Sequence, residues 1–168
     1  MKTRTLIRIL IAAAIIISVG IVLFMRWSGT AELSLYNSRS MMDWKLGGKI
    51  TGIASVEDIG SYDPEHFKYF SDKNGCGLKS VSSNTRYYLD FDNGGSCRVI
   101  GFTTTANYYS IMGIRIGDDE LESRTVLLDN RYSMDGGGLD RCRATSGKIT
   151  VYLNFEHGIV TGMAAFIK

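Results

Sequence analysis

The sequence predicts an α+β fold: an N-terminal transmembrane helix followed by two tandem helix-plus-antiparallel-sheet repeats in two layers. Three observations predict it. Ile9 to Met25 is a run of 17 residues without a charge, preceded by Lys2, Arg4 and Arg8. The remainder repeats itself, with Tyr88-Leu89-Asp90-Phe91 echoed by Tyr152-Leu153-Asn154-Phe155 64 residues later. The Gly52-Ile53 and Gly77-Leu78 steps recur 61 residues on, as Gly113-Ile114 and Gly138-Leu139. Such a period suits one small α/β unit used twice.

Residues 1–8 form a basic segment and residues 9–25 the membrane anchor. With Leu6 and Ile7 added and Arg8 snorkelling, the stretch reaches roughly the length that crosses a bilayer. Three basic residues precede the run and Arg26 follows it, an imbalance that places the N-terminus in the cytoplasm and the C-terminal domain outside. Two alternatives remain open. One is a cleaved signal peptide, for which Gly29-Thr30-Ala31 offers small residues and which would release a secreted domain. The other is a buried helix. No Leu-x-x-Cys follows the run, which argues against a lipid-anchored protein.

The whole-chain charge of +2 conceals an asymmetry. All 17 acids lie beyond Met25, while four of the 19 basic residues lie within the first 26, so the exported part carries 15 basic against 17 acidic residues. That balance, together with export, argues against a nucleic-acid partner.

Residues 26–46 read as a linker running into structure. Residues 47–105 form the first repeat and 106–168 the second. In the first, Lys49–Ala54 is extended and Glu57–Asp72 contains a helix. Asp63 caps that helix, Pro64 occupies its first position, Glu65 follows in the first turn, and Phe67 and Phe70 form its apolar stripe. A meander then runs through Leu78–Ser82, Thr85–Phe91 and Cys97–Thr103, with Asp92-Asn93-Gly94-Gly95 as a hairpin turn. Alternation puts Tyr87, Leu89 and Phe91 on one face and Tyr88 and Asp90 on the other. In the second repeat, Tyr109–Ile116 is extended, and Gly117-Asp118-Asp119 opens a helix to about Asn130 that buries Leu121, Val126, Leu127 and Leu128. Strands follow at Leu139–Ala144, Lys148–Phe155 and Ile159–Ile167. The joint at 103–107 is short and polar, which suits one continuous curved sheet with both helices on one face.

Gly113-Ile114-Arg115-Ile116-Gly117-Asp118-Asp119, followed by the Tyr152–Met163 hairpin, resembles the lead-in and closing hairpin of small envelope domains of the SmpA/OmlA-like and beta-lactamase-inhibitor-protein-like superfamily. The resemblance covers roughly residues 47–167. It implies tandem α/β units that bind other proteins, and it carries over no inhibitory loop residue.

Three cysteines lie in the exported part, where disulfides form. Sequence alone does not choose the pairing; Cys76–Cys97, flanking the Tyr87–Phe91 strand, is preferred, which leaves Cys142 over. No Cys-x-x-Cys and no zinc spacing occurs, so neither a metal nor any other cofactor is expected. Asp90 to Gly101 begins like a calcium loop with Gly95 at position 6, but Gly101 stands where Glu is required. The two histidines, His66 and His157, each neighbour a glutamate. An acid–base site needs a nucleophile or further ligands converging on them, so surface roles are expected.

Tyr and Arg are the commonest interface anchors. Tyr88 and its repeat equivalent Tyr152, with Arg86 and Arg98, are therefore the expected binding residues on a helix-free sheet face. The expected function is a membrane-anchored extracytoplasmic module that binds a protein or peptide. A hydrolase acting on cell-envelope material and a non-catalytic spacer are the alternatives.

Overall fold

The computed structural model describes residues 33–38, 42–50, 55, 67–73, 75–94, 96–136 and 138–168. The chain divides into two compact units, Met1–Ala31 and Glu32–Lys168, and every described residue belongs to the second.

Strand is the predominant regular structure among the described residues. The order is β1 (Ser34–Asn37), β2 (Met42–Lys45), β3 (Lys49–Ile50), β4 (Phe67–Asp72), β5 (Gly75–Ser80), β6 (Arg86–Phe91), β7 (Cys97–Thr104), β8 (Tyr109–Ile111), β9 (Ile114–Arg115), a helix α1 (Glu120–Asp129), β10 (Ser133–Met134), β11 (Arg141–Ser146), β12 (Ile149–Glu156) and β13 (Ile159–Ile167). Two antiparallel meanders, β4 to β7 and β10 to β13, join edge to edge, giving the order β10-β11-β12-β13-β7-β6-β5-β4. The seam pairs Met163 with Thr104 and Phe166 with Gly101. Beyond the seam, β3 takes over the same edge of β7, pairing Ile50 with Cys97. A second, four-stranded sheet has the order β2-β1-β8-β9.

This corrects the predicted fold class. The four-strand meander recurs in both halves, and α1 is the single helix among the described residues. Residues 67–72, expected to close the first helix, are strand β4. The rest of that expected helix lies outside the described residues. Phe67 and Phe70 are three apart, a spacing that marks one helix face but opposite faces of a strand. Both are half-buried because this sheet carries aromatic side chains on each side. Within the expected linker and lead-in, Ser34–Asn37 and Met42–Lys45 are paired strands.

The membrane-anchored architecture is corrected too. No helix of the described residues is long and apolar enough to cross a membrane. With ten residues, α1 rises only about 15 Å, half of a bilayer's hydrocarbon core. The expected anchor at residues 9–25 lies outside the described residues. Single-pass topology, attachment through an N-terminal helix and an extracytoplasmic domain find no support among the described residues.

One face of the large sheet is the core. Leu78, Tyr87, Leu89, Val99, Phe102, Val151, Leu153 and Met163 are all buried in a single apolar cluster. The small sheet contributes Tyr109, whose ring lies 5.3 Å from Phe102 and 6.3 Å from Tyr87, together with Ile111 and Ile114. The helix contributes Leu127 and Ser123 alone as fully buried residues. Leu121 is 74% exposed and Leu128 55%, contrary to their expected burial.

The Gly113–Asp119 segment has a structural explanation. Met112 and Gly113 both have positive φ, the backbone of a two-residue hairpin turn between β8 and β9. Past β9, Gly117 N–H donates to Val160 O at 2.8 Å and Val160 N–H to Asp118 O at 2.9 Å, which ties the chain to the edge of β13. Asp119 then caps α1, its carboxylate accepting from Leu121 N (2.8 Å) and Glu122 N (3.1 Å). Glu120 N–H donates to Gly158 O at 2.8 Å, docking the helix start on the β12–β13 turn.

Candidate functional site

The second face of the large sheet faces away from the core. Register assigns its residues in rows that run across the strands, and two rows matter.

The first row is aromatic. Phe70 pairs with Gly77, Gly77 with Tyr88, Tyr88 with Gly101, and Gly101 with Phe166. Large rings thus alternate with glycines. Phe70 and Tyr88 meet edge to face at 5.2 Å, Tyr88 and Phe166 at 5.4 Å, and Phe166 reaches Tyr152 at 6.4 Å. A side chain at Gly101 would place its Cβ 2.5 Å from Phe166 Cδ1, and one at Gly77 would come within 1.9 Å of the Tyr87 carbonyl oxygen. The glycines are the space that the rings and backbone fill.

The second row is basic. Lys68 pairs with Lys79, and Lys79 with Arg86. The row continues through Thr103, Ala164 and Tyr152 to Arg143. Lys68 and Lys79 are exposed and have no acid partner among the described residues. Arg86 Nη1 lies 3.0 Å from Asp72 Oδ2, and its guanidinium sits 5.4 Å over the Phe70 ring. Like charges directly opposite on neighbouring strands are destabilising by some tenths of a kcal/mol, up to about 1. Three cations in register are thus a local cost that an anion on this face would relieve.

At the far end of the row Arg141 and Arg143 share β11. Arg141 Nε donates to Asn154 Oδ1 at 3.0 Å. The Arg143 Nε is buried without a hydrogen-bond partner among the described residues.

The residues expected to bind fall as follows. Tyr88 and Tyr152 share the outer face, opposite Tyr87 and Leu89, but Tyr88 is only 4% exposed. Its ring is held between Phe70 and Phe166, and its hydroxyl donates to Asp72 at 3.4 Å. Tyr152 is half-buried. Arg86 stands in the basic row. Arg98 is exposed and paired in register with Asp90 and Lys49, away from that row. Lys68 and Lys79 were missed by sequence reasoning, and Arg143, on a predicted strand, was not singled out among the binding residues. The signal for them is register, which brings positions 68, 79, 86 and 143 into one line.

All three cysteines are free thiols. The preferred Cys76–Cys97 disulfide is not formed, because β6 runs between the strands that carry them. Two strand spacings amount to about 10 Å, beyond the reach of about 7 Å between Cα atoms that a disulfide requires. Burial pushes the Cys97 thiol up to about 11, with Cys76 and Asp90 adding to the shift. Burial also raises Cys142, against an opposing contribution from Arg124. Both shifts lead away from thiolate nucleophiles.

Among the described residues no group of three metal-ligating side chains converges. Asp92 is committed to its own turn, accepting from Gly94 N (3.0 Å), Ser96 N (2.8 Å) and Ser96 Oγ. The Ser96 hydroxyl contributes most to holding its carboxyl below the usual range. His157 is an exposed turn residue with φ 53°, and His66 lies outside the described residues.

No family model, no curated protein and no solved structure matches this chain.

Proposed function

We propose that this chain is a non-catalytic binding domain that takes an anionic ligand on the outer face of its sheet, along the Lys68–Lys79–Arg86 row. The observation that carries the reading is that row: three cations on adjacent strands in register, two of them without an acid partner among the described residues. The aromatic row beneath supports it differently. Its rings are packed on one another and into glycines, which stiffens the strands that hold the charges. Stiff positioning lowers the ordering cost of binding. The non-catalytic part of the reading is supported by the upward shifts of Cys97 and Cys142.

Isothermal titration of the full chain with oligoglutamate at low and high salt tests the reading. The expected result is binding that weakens as salt rises, because exposed charges are screened beyond about 10 Å at 0.1 M. A Lys68→Gln/Lys79→Gln variant should lose about tenfold in affinity while its melting temperature rises slightly, because the like-charge cost is removed. Salt-insensitive binding, or binding indifferent to both substitutions, would contradict the reading.

A further inference from the structure

The basic row is not uniform, and its gap has chemical content. Lys68, Lys79 and Arg86 occupy β4, β5 and β6; Thr103, Ala164 and Tyr152 then occupy β7, β13 and β12 without charge; Arg143 follows on β11 beside Arg141. From β6 to β11 there are four strand spacings, or about 19 Å. The middle of the row is a floor without charge: Thr103 and Ala164 are small and half-buried, while along the same strands the Phe166 ring covers Gly101 and the Asn154 side chain lies against Gly162. The far cluster also holds a donor, the Arg143 Nε, buried without a partner among the described residues. Buried donors are paired in nearly all folded proteins, so an unpaired one at a charged cluster is an unmet demand for an acceptor.

We infer that the two cationic clusters act together on one linear polycarboxylate, laid across the strands from β4 to β11 with its middle over Thr103 and Ala164. This rests on the anion-binding reading and specifies the ligand. A chain extended at about 3.4 Å per residue needs about six residues to join the clusters. Engaging both then makes the second contact intramolecular, which raises affinity with no new kind of contact. Along an extended polyglutamate alternate carboxylates turn away from the sheet, so fewer charges meet the uncharged floor than along a polyphosphate, whose every unit is charged. Single-stranded nucleic acid gains its affinity from open ring faces on which bases stack. The Tyr88 ring is closed between its neighbours and presents no such face.

The test titrates the full chain with tri-glutamate and deca-glutamate, and with a polyphosphate and an oligothymidylate of matching length. Deca-glutamate should bind at least about a hundredfold more tightly than tri-glutamate. Arg141→Gln/Arg143→Gln should abolish that gain while tri-glutamate binding persists, which also reports that the variant is folded. Ala164→Glu, which puts a repelling charge on the floor and leaves both clusters intact, should abolish the same gain. A gain no greater than about eightfold, which the eight overlapping registers of three residues along ten give by statistics alone, would overturn the inference, as would a gain that survives both variants. Tighter binding of polyphosphate or oligothymidylate would overturn the choice of polycarboxylate. Failure of every probe to bind would sink the anion-binding reading itself.

Discussion

Gly77 and Gly101 show how much of this sheet depends on a missing atom. At Gly101 the obstruction is the Phe166 ring, which can swing aside. At Gly77 it is the Tyr87 carbonyl, which cannot move without breaking the β5–β6 ladder. Gly101→Ala should therefore cost about 1–3 kcal/mol in chemical denaturation, and Gly77→Ala distinctly more. Equal costs would mean that the backbone yields as easily as the ring. The thiols give a second residue-scale prediction. Cys97 and Cys142 are fully buried and Cys76 is partly exposed, so Ellman's reagent should modify one thiol in the native protein and three after unfolding. Their titration fixes a sign for alkaline pH. The folded state holds the Cys97 thiol protonated up to about 11, whereas an unfolded thiol ionises near about 8.5. The stabilisation is fully present below the unfolded value and is lost as pH rises through the folded one. Melting temperature should fall across that window, and less steeply in Cys97→Ala.

At the scale of elements, the sequence displayed most clearly what short-range chemistry encodes. The Asp92-Asn93-Gly94 turn, the β5 to β7 meander, the helix start at Gly117-Asp118-Asp119 and the β11 to β13 meander were all legible, because each rests on turn residues and alternation within about ten positions. Residues 67–72 were misread as helix because Phe67 and Phe70 satisfy helical spacing. Only a sheet apolar on both faces turns that spacing into strand, and no local pattern reveals it. The basic row was illegible for a related reason, since four of its members come from four strands and their alignment is a property of register. One element offers a direct check. His157 and Gly158 form the β12–β13 turn with φ of 53° and 77°, a conformation that favours Asn followed by Gly. His157→Asn should raise stability by a few tenths of a kcal/mol, measured by thermal denaturation. A loss of stability would mean that the imidazole contributes something beyond its backbone angle.

For the whole molecule, the two meanders share one sheet and one apolar cluster. They should unfold together, giving a single denaturation transition with coincident far-ultraviolet and tyrosine signals. Two transitions would mean that the β7–β13 seam is weaker than either half. The outer face sets the larger claim. Its aromatic row is a second, thin apolar layer, and the cations ride on strands that layer stiffens. The most direct measurement is a backbone amide chemical-shift map of the labelled protein titrated with deca-glutamate. Shifts concentrated on β4, β5, β6 and β11, with the small sheet and α1 unmoved, are the predicted result. Shifts centred on the helix or the small sheet, or none at saturating ligand, would contradict an anion-binding outer face.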